Sequence, residues 1–244
     1  MLTSLDPKQA ILPIFKMSRS ISFRGLLGTG FVVGIDPPFF LVTAAHVLRD
    51  TALLDDEILA IALYRSEQNI EAGEIGNYKC SDKYDVAVVG LAGLADIVSL
   101  PILSGNISTQ DDVLTFEYSS TSTKPIPDGR VGAHFSPFTH KGNVLRHHTS
   151  DYPEKVPTHV LDTSFPALQG ASGAPVMRAT DLAVAGMLVA NHERQLLPAQ
   201  VVRIEHDDKS VEETKYFLPT GRAVSSEVLR AVLDDFQVKY ELAR

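Results

Sequence analysis

The chain has a single cysteine, Cys80, among its 244 residues. One cysteine cannot form a disulfide within the chain, so the fold must be held together by its hydrophobic core. Because disulfides belong to oxidising compartments, we expect a reducing one. The sequence also has no apolar run near the roughly 20 residues that cross a bilayer, and no basic leader followed by an apolar stretch. We therefore expect a soluble, cytoplasmic protein with no membrane partner.

Positive charge is also scarce. The chain has 22 Lys and Arg against 30 Asp and Glu, which gives a formal net charge of −8. An acidic chain without long basic runs argues against nucleic acid as a partner. Hydrophobic residues make up 44% of the chain, enough for a substantial core, and the length suits one large domain or two small ones.

Short β-type runs separated by glycine and proline fill most of the chain. We predict strands at residues 11–15, 20–23, 30–33, 39–43, 58–65, 70–79, 85–91, 112–117, 160–164, 175–177, 182–190 and 200–204. This pattern predicts an all-β sandwich or barrel. Residues 119–128 lack a hydrophobic period and are predicted to be a connector, and residues 131–148 are predicted to be irregular. Near the C-terminus, apolar side chains recur on one helical face from Val228 to Phe236, and Ser225 supplies an N-cap, so we predict one helix there.

Three short motifs suggest chemistry when they are taken together. Thr43-Ala-Ala-His46 ends an apolar strand with a histidine, and Tyr84-Asp85-Val-Ala-Val88 places a carboxylate at the head of another. Gly170-Ala-Ser-Gly-Ala-Pro175 sets Ser172 between glycines, as is needed where backbone N–H groups must approach a developing oxyanion. Each motif alone has an ordinary explanation as a buried histidine, a turn aspartate or a glycine turn.

In this order the motifs resemble the chymotrypsin/trypsin-like serine protease family, which shows T-A-A-H, then D-[IV]-A-[VL], then G-x-S-G-[GA]-P. Other folds that use the same three residue types order them differently. Gly28–Val33 and Tyr216–Pro219 are similar to further segments of bacterial members. The resemblance implies an all-β fold of two six-stranded antiparallel β-barrels with a C-terminal α-helix, and an active site between the barrels.

The resemblance also implies how the chain is divided. Residues 1–244 would form a single protease domain, with no room after the C-terminal helix for a peptide-binding PDZ domain. We expect a first barrel over about 11–118, a connector over about 119–130 and a second barrel over about 131–220. The C-terminal helix would occupy about 225–240.

Residue roles follow from the family likeness. His46 would be the general base, Asp85 would fix its tautomer, and Ser172 would be the nucleophile. The backbone N–H groups of Gly170 and Ser172 would form the oxyanion hole. The expected substrate is a protein or peptide, and no metal or organic cofactor is implied.

The implied substrate-binding residues are those that flank the primary specificity pocket. By position relative to Ser172, its walls would include residues 164–169 and 188–191. The candidate contacts are Gln169, Leu188, Val189, Ala190 and Asn191. Neither wall carries a carboxylate, so we expect a small or apolar residue before the cleaved bond. Asp162 is near in sequence, but its direction cannot be read.

Departures from the family pattern are informative. Ala171 stands where many secreted members have an aspartate that pairs with a newly cleaved N-terminus, so we predict no activation by N-terminal cleavage. Val47 stands where many secreted members have a cysteine. Both point to the disulfide-free bacterial branch that includes heat-shock-linked degradative proteases. Ala174 replaces the usual second glycine and could crowd the strand behind the nucleophile.

We therefore predict a serine endopeptidase. Two alternatives remain open at this stage: a catalytically impaired binding module with the protease fold, and an esterase-like hydrolase that uses the same three residues. The histidines at 134, 140, 147 and 148 have a spacing that matches no metal pattern. Because nothing suggests a zymogen switch, we hypothesise that a regulatory protein partner, or a loop at 119–130 or 134–150, restrains activity.

Overall fold

The computed structural model describes residues 6–66, 69–91, 97–151, 156–195, 199–205, 208–214 and 217–244. Tyr216, the first residue of one family-like segment, lies outside these ranges. Two curled β-sheets and one C-terminal helix account for most of the described residues, which confirms the predicted all-β double-barrel class.

The first sheet contains seven strands within the described ranges. In chain order they are β1 (Ile11–Ser18), β2 (Phe23–Val33), β3 (Phe39–Thr43), β4 (Glu57–Ser66), β5 (Asn69–Glu74), β6 (Tyr78–Cys80) and β7 (Ala87–Leu91). Across the sheet their order is β5-β4-β1-β2-β3-β7-β6, and every pairing is antiparallel. A short helix, α1 (Ala45–Arg49), leaves the end of β3 and carries His46.

The remaining strands belong to the second half of the molecule. They are β8 (Ile102–Leu103), β9 (Asp112–Glu117), β10 (Ser122–Pro125), β11 (Val131–His134), β12 (Phe138–Ser150), β13 (Thr158–Thr163), β14 (Pro175–Arg178), β15 (Val184–Gln195), β16 (Ala199–Glu205), β17 (Asp208–Thr214), β18 (Phe217–Ser225) and β19 (Leu242–Ala243). Six of them follow the order β14-β9-β12-β13-β18-β15, and β14 also pairs with β15, so the sheet closes into a barrel. The short strands β8 and β19 extend it in parallel, while β10–β11 and β16–β17 form separate hairpins.

Four sequence predictions need correction, the first being the strand at 20–23, where the chain turns before β2 begins at Phe23. The first barrel was predicted to reach residue 118, but β9 pairs with β12 and β14 of the second sheet. Pairing between distant strands decides that assignment, and position along the chain does not reveal it. Residues 70–79 form two strands, β5 and β6, rather than one. Residues 131–148, predicted to be irregular, form β11 and most of β12.

The predicted C-terminal helix is present, but it ends at Asp235 rather than near residue 240. Helix α2 (Ser226–Asp235) begins after Ser225, whose hydroxyl oxygen accepts a hydrogen bond from the Val228 N–H. Val228, Leu229, Val232 and Leu233 are buried on one face, which packs against β15 and β18. None of the helices in the described ranges is long and apolar enough to cross a membrane.

Candidate active site

Asp85 holds His46 through two hydrogen bonds. Its Oδ2 atom lies 2.6 Å from the His46 Nδ1 atom, and its Oδ1 atom accepts the His46 backbone N–H at 2.8 Å. The first N–H groups of a helix have no partner inside the helix, so the carboxylate caps α1 while it orients the imidazole. Asp85 is 1% exposed, whereas the His46 side chain is 34% exposed. The ring is thus fixed from its buried side and open on the other.

Ser172 lies on two successive tight turns. The Ala171 N–H donates to the Leu168 carbonyl, and the Ala174 N–H donates to the Ala171 carbonyl, each at 2.9 Å. Gly170 and Gly173 both have positive φ, +94° and +87°. A Cβ at residue 173 would also stand 2.1 Å from the Thr29 carbonyl oxygen and 2.2 Å from the Thr43 hydroxyl. The glycine after the serine is therefore required by both conformation and space.

Thr29 joins the serine loop to β3, the strand that leads into the helix carrying His46. Its N–H donates to the Ser172 carbonyl and its hydroxyl donates to the Gly170 carbonyl, both at 2.9 Å. Its own carbonyl accepts the Thr43 hydroxyl at 2.7 Å, and Thr43 is three residues before His46. Thr29 lies in the family-like segment Gly28–Val33, but its role was not predicted; a hydroxyl residue between two glycines was the available signal.

Two backbone N–H groups beside the serine have no acceptor within the described part of the chain, those of Gly170 and Ser172. Gly170 is buried and Ser172 is half-buried. A developing oxyanion needs N–H donors that are not already bonded. Such donors on either side of Ala171 would need no rearrangement when the negative charge appears. These are the two groups that the sequence assigned to the oxyanion hole.

The predicted pocket walls differ in exposure. Leu188 and Val189 are buried, at 0% and 5% exposure, and Leu188 also accepts the Gly173 N–H through its carbonyl at 2.7 Å. Gln169 and Asn191 are exposed and Ala190 is half-buried. The Asn191 side chain bonds the backbone of Ala167 in the opposite wall.

Asp162 is buried and paired with two arginines. Its Oδ2 lies 2.5 Å from the Arg146 Nε, and its Oδ1 lies 3.5 Å from the Arg222 Nε. The side chain is 0% exposed. A carboxylate paired in this way does not face solvent as a receptor for a basic substrate side chain.

Ala171 and Ala174 fit an apolar environment. Their side chains are 1% and 0% exposed and belong to the hydrophobic core of the closed barrel. An aspartate at residue 171 would place a charge in that core, which is costly without a partner. The Ala174 methyl group, which the sequence suggested could crowd the strand behind the serine, is accommodated in the core.

The four histidines considered as possible metal ligands lie on two strands. His134 is on β11, while His140, His147 and His148 are on β12. Successive residues of a strand point to opposite faces, which separates His147 from His148. The described ranges contain no group of three His, Cys, Asp or Glu side chains that could hold a metal ion.

A closed barrel and a curled sheet, joined by the Thr29 contacts between the serine loop and the strand before His46, define a chymotrypsin-like double-barrel protein. Residues 28–187, more than half of the chain, match the family model of the trypsin-like peptidase domain. The chain therefore belongs to the trypsin-like peptidase family. No functionally curated protein shows significant similarity to its sequence.

Solved structures with the same fold include bacterial and animal proteases. The active form of the Rv3671c protease from M. tuberculosis is 17% identical, with a TM-score of 0.59 over 97% of this chain and 84% of that one. The MamO protease domain from Magnetospirillum magneticum is 12% identical, with a TM-score of 0.59 over 93% and 96%. Mouse neuropsin is 11% identical, with a TM-score of 0.58 over 94% and 95%. Identities this low establish the fold alone.

Proposed function

We propose that this protein is a serine endopeptidase in which His46, Asp85 and Ser172 form the catalytic triad. The observation that carries the proposal is the pair of hydrogen bonds that Asp85 accepts from His46, at 2.6 and 2.8 Å. They set the Nδ1 side of the ring toward the carboxylate and leave Nε2 available to a serine hydroxyl. A serine hydroxyl is a weak nucleophile without such a base.

The proposed reaction has two stages, acylation of the serine and hydrolysis of the acyl-enzyme. As the Ser172 Oγ attacks the scissile carbonyl carbon, its proton passes to the His46 Nε2. The carbonyl oxygen becomes an oxyanion that accepts hydrogen bonds from the N–H groups of Gly170 and Ser172. When the C–N bond breaks, His46 returns the proton to the leaving amine and an acyl-enzyme ester remains. Water attacks this ester in the same way and regenerates Ser172.

Activation by N-terminal cleavage is not part of the proposal. In place of an ion pair, the serine loop is held by the two hydrogen bonds from Thr29 and by the burial of Ala171. We infer that the oxyanion hole is formed as the chain folds. A protein made inactive and then activated by trimming its first residues would contradict this.

The proposed setting is a bacterial cytoplasm, where the protein would act as a single protease domain. The single cysteine and the resemblance to disulfide-free bacterial members support it. The substrate would be a protein or peptide, without nucleic acid or membrane partners, in keeping with the net charge of −8. A regulatory protein partner would restrain the activity.

The test combines labelling by an active-site probe with digestion of a peptide library. A fluorophosphonate should label the wild type and the Ser108→Ala variant, which alters an exposed serine, but not Ser172→Ala. The same proteins are then incubated with a peptide library, and the products are identified by mass spectrometry. A wild type that is not labelled would contradict the triad. Labelling with hydrolysis of simple esters, but of no peptide, would favour the esterase instead.

A further inference from the structure

The amide of Asn191 connects the two walls of the predicted specificity pocket. Its Nδ2 donates to the Ala167 carbonyl at 2.6 Å, and its Oδ1 accepts the Ala167 N–H at 2.7 Å. The Asn191 side chain thus pairs with both the N–H and the carbonyl of Ala167, as the backbone of a neighbouring strand would. We call these two bonds the Asn191–Ala167 bridge.

A second connection joins the segment before the nucleophile to β18. The Gly221 N–H donates to the Phe165 carbonyl at 2.6 Å, and the Thr163 hydroxyl donates to the same oxygen at 2.8 Å. The segment before the nucleophile is therefore bound to β18 at Phe165 and to β15 at Ala167. Hydrogen bonds of this length leave no room for a side chain between the bonded atoms.

The space below the bridge is filled by the core. Phe165, Ala167, Leu188 and Ala223 are all buried, with exposures of 5%, 8%, 0% and 0%, and they belong to one hydrophobic cluster. Protein cores pack at the density of organic crystals, so this floor cannot yield to a large group without strain. A substrate side chain that enters between these walls therefore meets the bridge and a packed core.

The walls also lack charge. Residues 164–169 and 188–191 contain no Asp, Glu, Lys or Arg. The nearby carboxylate of Asp162 is buried against Arg146 and Arg222. A basic substrate side chain would therefore lose its hydration without gaining a carboxylate partner.

From these contacts we propose that Asn191 determines specificity by closing the primary pocket, so that the protease cleaves after small uncharged residues such as alanine, glycine and serine. This proposal rests on the proposed function and narrows its substrate class. Asn191 is part of the pocket wall and takes no part in proton transfer. Without such a closure a larger apolar side chain would bind better than alanine, because it buries more apolar surface.

The first experiment measures kcat/KM on a peptide series that differs only in the residue before the cleaved bond. For the wild type, alanine should exceed leucine and phenylalanine by about tenfold or more, a range that pocket size can supply. In Asn191→Ala this order should reverse. Asn106→Ala, which alters an exposed asparagine, should keep the wild-type order. A wild type that cleaves equally well after leucine or arginine would overturn the proposal, as would an Asn191→Ala variant with the wild-type order.

A second measurement does not depend on catalysis. Peptides that end in alanine or leucine resemble the acyl product, and their binding to the Ser172→Ala variant can be followed by fluorescence anisotropy. The alanine peptide should bind about tenfold more tightly, and adding Asn191→Ala should reverse the preference. If the fluorophosphonate fails to label the wild type but this binding preference is seen, the proposed function fails while the pocket assignment stands. Binding without preference overturns the pocket assignment whatever the labelling result.

Discussion

The Thr29 hydroxyl donates a hydrogen bond to the carbonyl oxygen of Gly170, 141 positions further along the chain, at 2.9 Å. The bond is buried and crosses from the sheet that carries His46 to the loop that carries Ser172. The bond restrains the backbone at Gly170. The N–H group of Gly170 is one of the two proposed oxyanion donors. Thr29 is thus a positioning residue for the site rather than a participant in the reaction.

The variant Thr29→Val should lower kcat by about tenfold or more with little change in KM, because a small displacement of an oxyanion donor is felt mainly in the transition state. The measurement is steady-state kinetics on a cleaved peptide. Thr158→Val is the matched control, since Thr158 is also buried and donates to a backbone carbonyl, at 2.8 Å, but lies at the start of β13. Equal losses of kcat in the two variants would show that Thr29 contributes only to stability.

Asp85→Asn should reduce kcat by about 10⁴-fold, the size of effect measured when the same substitution is made in a serine protease triad. The amide cannot accept from both the His46 backbone N–H and the Nδ1–H, so the ring would lose the tautomer that exposes a basic Nε2. Fluorophosphonate labelling rates measure the effect. Asp82→Asn changes an exposed aspartate three residues earlier and should label at the wild-type rate. A fast-labelling Asp85→Asn would remove Asp85 from the triad.

Gly173→Ala should unfold the protein or lower its free energy of unfolding by more than about 4 kcal/mol, the range of severe core disruption. The new Cβ would lie 2.1 Å from a backbone oxygen, at a φ of +87°. Urea denaturation followed by circular dichroism measures the change. Gly105→Ala is the control, because a Cβ there meets nothing within 4 Å. A wild-type unfolding midpoint for Gly173→Ala would contradict the packing described around the serine loop.

His148 should make the fold sensitive to mild acid. Burial lowers its pKa, opposed by the charge of Asp162 and reinforced by Arg146. Its buried Nδ1 has no hydrogen-bond partner in the described residues. The unfolded chain therefore binds a proton at a higher pH than the folded protein. Stability due to this group is complete above about pH 6.5, the ordinary histidine value, and is lost as the pH falls through the lower folded pKa.

Urea midpoints from pH 8 to pH 5 test this prediction. The wild type should lose more stability than His148→Gln on acidification, since the variant has no proton to bind at this position. His147→Gln, on the adjacent position of β12, is the matched control and should follow the wild type. Parallel pH profiles for the wild type and His148→Gln would contradict the assignment.

Local signals in the sequence predicted the parts of the fold that are held by local contacts. The apolar periodicity and the Ser225 cap predicted α2, and an unbroken apolar run predicted β3 with its bounds. Strand β12 was missed because its hydrogen-bonding partners, β9 and β13, supply its stability from both sides. Val144 is the one fully buried residue along it, so no alternation of apolar and polar residues marks it.

The same distinction between local and long-range contacts applies to the candidate site. Each catalytic candidate lies in a short motif whose residue types are fixed by its chemistry, so His46, Asp85 and Ser172 could be selected from sequence. The contacts of Thr29 and Asn191 join residues far apart in the chain, at 141 and 24 positions. No local pattern encodes such contacts, and only the folded barrels bring the partners together.

The open edges of the first sheet bear on how the protein behaves at high concentration. In the described residues β5 pairs only with β4 and β6 only with β7, so each leaves backbone groups that a second chain could pair with. Glu71 and Glu74 lie on β5, and Lys79 on β6 sits 5.7 Å from the Phe236 ring. Charge at a sheet edge opposes the addition of a foreign strand. At these two edges, resistance to pairing with a second chain therefore depends on a few charged side chains.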